Sequence, residues 1–164
     1  MNPIIEPEEP AAVEHALQAD DQRILRMSPH GESGSPIEFI LRQRIEQLVQ
    51  AIRDKDLERV LSFYAADVTV FDARPPLDVR GINGYRQNFE QWFASFEGSL
   101  TLELHKLRIV PSEATAFCHY LGLVSGSRPG GRASGYWVRG TTCFERRDGE
   151  WLVTHEHISM PASA

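Results

Sequence analysis

The sequence predicts an α+β domain in which helices come first and an antiparallel sheet follows. Three observations carry this. Apolar residues between Ile37 and Phe96 recur at three- and four-residue spacing, interrupted once by a β-branched run. From Ser99 onward the period falls to two, and two short connections there, Pro111-Ser112-Glu113 and Asp148-Gly149, read as hairpin turns. Helices gathered ahead of strands pack against one face of a sheet.

In chain order, residues 1–35 stand apart from this plan. They hold seven acids against Arg23 and Arg26, so they carry five of the six net negative charges, and they contain four prolines. Only Val13, Leu17, Ile24 and Leu25 suggest helical spacing, over 11–27. We read 1–35 as an acidic, largely flexible extension and 36–164 as the domain. The first domain helix carries Ile37, Phe39, Ile40, Leu41, Ile45, Leu48, Val49 and Ile52. Asp54 or Asp56 caps a second, short helix with Leu57, Val60, Leu61 and Tyr64 on one side. Asp67 to Phe71 is a strand. Past the Arg74-Pro75-Pro76 loop, Gly81 leads a third helix with Ile82, Tyr85, Phe89, Trp92, Phe93 and Phe96 inward. Strands follow at 99–110, 114–124, 134–146 and 150–159, with a longer, mobile loop expected over Ser125 to Ala133.

Composition excludes several functions. With 164 residues the chain fits one domain. A net charge of −6 and scattered Lys106, Arg128 and Arg132 oppose a nucleic-acid partner. No apolar run is long enough to span a bilayer, so no membrane role is expected, and MNPIIEPEEP does not read as a secretory signal. Cys118 and Cys143 lack C-x-x-C spacing and read as small buried hydrophobes in a cytoplasmic protein.

The candidate chemistry begins at Asp72. Val68, Val70 and Asp72 share one strand face, so the carboxylate ends an apolar wall, where it can abstract a proton next to a carbonyl. The competing reading is an aspartate that caps the turn into Arg74-Pro75. Arg139, Thr141 and Cys143 lie on one face of their strand, opposite Val138, Gly140, Thr142 and Phe144. Pointing inward, Arg139 would seat a carboxylate; pointing outward, it is a solvated charge. Simple alternation puts His155 and His157 on the face of Trp151, Val153 and Ser159. That pair could ligate a metal with His119, but no carboxylate completes a recognisable set, so hydrogen-bonded pocket or interface histidines are expected. Tyr85 and Trp92 serve the core first and a ligand wall second.

Helix, helix, the DVTV strand, a Gly-led helix and four long strands ending in Phe144-Glu-Arg-Arg-Asp-Gly-Glu-Trp151 resemble the nuclear transport factor 2-like superfamily. More narrowly, they resemble its SnoaL-like and ketosteroid-isomerase-like branch, over roughly residues 37–161. The ending through His155-Glu-His157 is also similar to the association domain of calcium/calmodulin-dependent kinase II. The resemblance implies a cone: a strongly curved antiparallel sheet wrapped around three N-terminal helices, with a mostly apolar pocket at the open end. It places Asp72 at the general-base position of steroid isomerases. Their oxyanion donors are not carried over, since Leu48 stands where a tyrosine is needed and Thr142 falls at or near the acid's place. A steroid isomerase is therefore not expected.

Two functional classes fit. One is a cofactor-free isomerase, cyclase or dehydratase acting on a hydrophobic carbonyl compound. Asp72 would be its base, His119 or His157 would polarise the carbonyl, and Arg139, Thr141, His155, Tyr85 and Trp92 would hold the ligand. The other is a noncatalytic homo-oligomeric module binding a small carboxylate or apolar ligand. Apolar residues on both faces of the sheet, Ala116, Cys118 and Tyr120 opposite Phe117, Leu121 and Leu123, predict a homodimer through the outer face in either case.

Overall fold

Three helices, α1 (Pro36–Arg53), α2 (Leu57–Leu61) and α3 (Ile82–Ala94), pack on a six-stranded sheet in the computed structural model, which describes residues 35–161. The extension assigned to 1–35 lies outside the described residues except for Ser35. That serine is the N-cap of α1, its hydroxyl accepting the Glu38 N–H at 3.1 Å, with Pro36 following it. α1 buries Leu41, Ile45, Leu48, Ala51 and Ile52 and leaves Phe39 and Ile40 exposed. Asp56, not Asp54, caps α2, through the Arg59 N–H at 3.1 Å.

The strands are β1 (Tyr64–Phe71), β2 (Val79–Arg80), β3 (Glu97–Pro111), β4 (Thr115–Arg128), β5 (Arg132–Arg147) and β6 (Glu150–Ser159). Their order is β2-β1-β6-β5-β4-β3, and every neighbouring pair is antiparallel except β1 and β6, which run parallel. The helices-then-sheet plan holds. Four details differ from the sequence reading, each for a local reason.

Tyr64 belongs to β1 and not to the second helix. Pairing with β6 takes over right after α2, beginning with the 2.9 Å bond from the Val153 N–H to the Phe63 carbonyl. The two-residue β2 was not anticipated; Val79 pairs with Val70 at the sheet edge. The long loop expected over Ser125 to Ala133 is mostly strand, since β4 and β5 stay paired out to Arg128 and Arg132. Gly126 serves close packing there: a Cβ would lie 2.7 Å from the Ser99 carbonyl oxygen and 2.8 Å from the Phe96 ring.

The fourth difference decides what faces the core. Between β5 and β6 the register passes from Phe144–Val153 to Cys143–His155, so Thr154 is an extra, unpaired residue. Such a bulge inverts the alternation beyond it. Trp151 and Val153 are buried as expected, but past the bulge Glu156 is the buried residue, while His155 and His157 turn to the opposite face. The core-facing row of β5 is Val138, Gly140, Thr142 and Phe144, all buried.

Candidate active site

Glu156 is 5% exposed and sits among hydroxyls from three other elements. Its Oε2 accepts from Tyr85 of α3 at 2.5 Å and from Tyr64 of β1 at 3.2 Å; its Oε1 accepts from Thr142 of β5 at 3.1 Å. Burial raises the Glu156 pKa, and the three hydroxyls oppose that rise by favouring the anion. The same burial, reinforced by the carboxylate, pushes the Tyr64 and Tyr85 hydroxyls well above their usual range, so they stay protonated donors.

Asp72 follows β1 directly and has a wetter setting, its side chain 15% exposed. Oδ2 accepts from Asn88 Nδ2 at 3.1 Å, and Oδ1 accepts from the Arg74 N–H at 3.4 Å. The turn-capping bond foreseen for this residue is thus present, together with a side-chain partner from α3. The Arg74 guanidinium lies 3.8 Å from Oδ2. The charge of Asp72 reaches Glu156, Tyr85 and Tyr136 electrostatically. Two carboxylates, one fully buried and one half-buried, therefore both act electrostatically on Tyr85.

Tyr136 of β5 completes the arrangement. Its hydroxyl accepts the Trp92 indole N–H at 2.9 Å. Accepting there leaves its own proton free to be donated elsewhere. Burial raises the Tyr136 pKa; the Trp92 bond and the charges of Arg128 and Arg74 counter this, and Asp72 adds to it. Trp92, Tyr120, Tyr136, Asn88 and Asp72 all remain half-buried. Asn88 also borders an outer groove lined by Pro75, Pro76, Asp78, Gln87 and Gln91.

Among the residues singled out from sequence, Asp72, Tyr85 and Trp92 come together here. The others do not join them. His119, Thr141 and His157 are exposed and lie in direct cross-strand register on the face opposite Thr142. Arg139, on that same side, is exposed and donates to the Met160 carbonyl at 3.1 Å. His155 Nδ1 is 2.8 Å from the Thr69 carbonyl oxygen, and its ring packs edge-on against Phe71 at 4.9 Å. Among the described residues, no group of three or more His, Cys, Asp or Glu is arranged to hold a metal ion. Burial pushes the Cys118 thiol up to about 12, which makes it inert as a nucleophile.

Sequence reasoning missed Glu156, Tyr64 and Tyr136, and met Thr142 only as the residue at or near the acid's place of steroid isomerases. The bulge at Thr154 hid the first, and the others gain meaning only once α3 is laid across β5 and β6.

The family model of the SnoaL-like domain matches residues 41–163. The chain belongs to this family. The SnoaL-like chain is similar to a solved NTF2-like protein of unknown function from Pseudomonas putida KT2440, with 29% identity, a TM-score of 0.72, and coverage of 80% of this chain and 92% of that one. It also shares its fold with a ketosteroid isomerase-like protein from Erwinia carotovora atroseptica, at 12% identity and a TM-score of 0.67, covering 79% and 100% of the two chains. The association domain of C. elegans calcium/calmodulin-dependent kinase II matches the SnoaL-like chain at 18% identity and a TM-score of 0.58, covering 88% and 98%. No curated protein matches the sequence significantly. No helix among the described residues is long and apolar enough to cross a membrane.

Proposed function

We propose that this SnoaL-like protein is a cofactor-independent enzyme that moves a proton on a carbonyl compound bound at the open end, as an isomerase, cyclase or dehydratase. The observation that carries the reading is the Trp92–Tyr136 hydrogen bond, 2.9 Å long, within electrostatic reach of Asp72. Asp72 takes a proton from the carbon next to the carbonyl. The electron pair left behind moves onto the carbonyl oxygen, which accepts the Tyr136 proton in a hydrogen bond that strengthens as charge develops. Asn88 holds the Asp72 carboxylate in place. Glu156 anchors Tyr85, and with it the floor of the site, from below. Asp72 then delivers the proton either to another carbon, giving the isomer, or to a β-hydroxyl whose C–O bond breaks as the enolate electrons form the C=C bond, so that it leaves as water.

This assignment gives the donor role to Tyr136 where the sequence suggested His119 or His157. It leaves those histidines, with Arg139, Thr141 and His155, to the outer face. That face favours a second, compatible reading as a homodimer surface, because Phe71 and Phe117 are each 42% exposed on it. The test of the donor role is Tyr136→Phe assayed by deuterium exchange into phenylacetone. Loss of about two to three orders of magnitude in turnover with little change in KM supports it. Unchanged turnover removes Tyr136 from the mechanism.

A further inference from the structure

Asn88, Trp92 and the C-cap Ser95 follow one another along one face of α3, and each holds a partner from another segment of the chain. Asn88 accepts at its carbonyl from Arg74 (3.3 Å), Trp92 donates to Tyr136 (2.9 Å), and Ser95 accepts from Arg128 at both its Oγ (2.7 Å) and its carbonyl (3.2 Å). At about 1.5 Å of rise per residue, the two arginine anchor points are roughly 10 Å apart with the Tyr136 hydroxyl between them.

The two arginines differ in one respect. Arg74 has Asp72 3.8 Å away. Arg128 has no carboxylate partner among the described residues. Among the described residues its hydrogen bonds go to neutral oxygens, the two on Ser95 and the Ser134 hydroxyl at 3.2 Å. Its guanidinium carbon lies over Phe96, 4.3 Å from the ring centroid, and 6.0 Å from that of Tyr136. Arg128 is therefore a half-buried cation, fixed by two serines and an aromatic face, with neither a carboxylate partner nor a hydrogen bond from Nη2 among the described residues. A guanidinium held in this way is pre-organised for an anion, since its ordering cost is met by the fold.

We infer that Arg128 seats a carboxylate of the substrate, so that the pocket takes a keto acid whose carbonyl oxygen meets Tyr136 and whose carboxylate lies one step further along α3. The inference rests on the proposed proton-transfer reading for the carbonyl and on Arg128 alone for the anion. It moves the anion seat from the exposed Arg139 to the core-facing side.

Calorimetric titration of the full chain with phenylpyruvate and with its uncharged counterpart phenylacetone tests it, with deuterium exchange into both followed by NMR. Phenylpyruvate is expected to bind at least about tenfold more tightly. Arg128→Gln should abolish that preference and leave phenylacetone affinity unchanged, and Arg128→Lys should keep part of it. Arg139→Gln should change nothing. Inorganic phosphate as competitor separates a carboxylate seat from a general oxyanion site: displacement of phenylpyruvate at equal concentration overturns the keto-acid assignment. So does a preference that survives in Arg128→Gln, equal affinity of the wild type for the two probes, or binding of neither. Exchange into phenylacetone without a carboxylate preference leaves the proton-transfer reading standing and removes this one. A preference without exchange removes the proton-transfer reading and the assignment of the carbonyl with it, and leaves Arg128 as a carboxylate seat only.

Discussion

The Tyr85 hydroxyl donates a 2.5 Å hydrogen bond to the fully buried carboxylate of Glu156, joining α3 to the last strand of the sheet. Tyr64 and Thr142 donate to the same group, so four elements meet on one side chain. An ionised group in such a place is tolerated only because its oxygens are satisfied. Glu156→Ala strands three buried hydroxyls and should cost about 3–5 kcal/mol in urea unfolding. Glu156→Gln keeps the shape and two acceptor sites and should cost about 1–3 kcal/mol.

The pH dependence of stability carries the same information with a definite sign. Burial raises the Glu156 pKa above its ordinary 4.5, so the folded chain binds this proton more tightly than the unfolded chain. Its contribution to stability is greatest below 4.5 and falls as pH rises through the raised folded value. The exposed Glu58 and Asp67, held low by hydrogen bonds from Arg86 and Arg147, act in the opposite direction but equally in both proteins. The stability of wild type relative to Glu156→Gln should therefore increase on acidification toward 4.5. A difference flat in pH would mean that Glu156 titrates as in the unfolded chain.

Tyr120 lies across Gly140, its cross-strand partner, so closely that a Cβ there would be 2.3 Å from the tyrosine Cζ. Gly140→Ala should displace the ring and destabilise the domain by about 1–3 kcal/mol. A crystal structure of the variant should show Tyr120 in a different rotamer. An unmoved ring would contradict this.

The outer sheet face should be covered in solution. Phe117 and Phe71 are exposed there, and Leu121, Leu123 and Trp137 are only half-buried. Light scattering at micromolar concentration should report a dimer, and Phe117→Asp should shift it to monomer without lowering the helix content seen by circular dichroism. A wild-type monomer would exclude the homodimer.

Residues ahead of Ser35 should be dispensable for folding. The buried apolar residues among those described run from Leu41 to Val153, and Ser35 already caps α1. A chain beginning at Gly34 should melt cooperatively within a few degrees of the full chain. A non-cooperative melt would show that the acidic segment completes the fold.

Much of this molecule is legible in its sequence, because periodicity reports local geometry. The helix over Pro36–Arg53, the Gly81-led helix and all four long strands follow from three-, four- and two-residue spacing. The placement of Asp72 at the end of the buried Val68–Val70 face was legible for the same reason. Glu156 was not. One unpaired residue at Thr154 inverts the last half of β6, and nothing in the alternation of Trp151, Val153 and His155 announces it. Tyr136 and Arg128 were equally hidden: their partners Trp92 and Ser95 are remote in sequence and belong to a different element.

The most direct test of the account is the rate of deuterium exchange into the methylene of phenylacetone, compared between the wild-type chain and Asp72→Asn. The variant keeps the side chain's size and its contact with Asn88 but loses the basic carboxylate. The account predicts exchange by the wild type above buffer, reduced about two to four orders of magnitude by Asp72→Asn, with phenylacetone binding within about twofold. Equal exchange by the two proteins would contradict it and leave the pocket a binding site without proton-transfer chemistry.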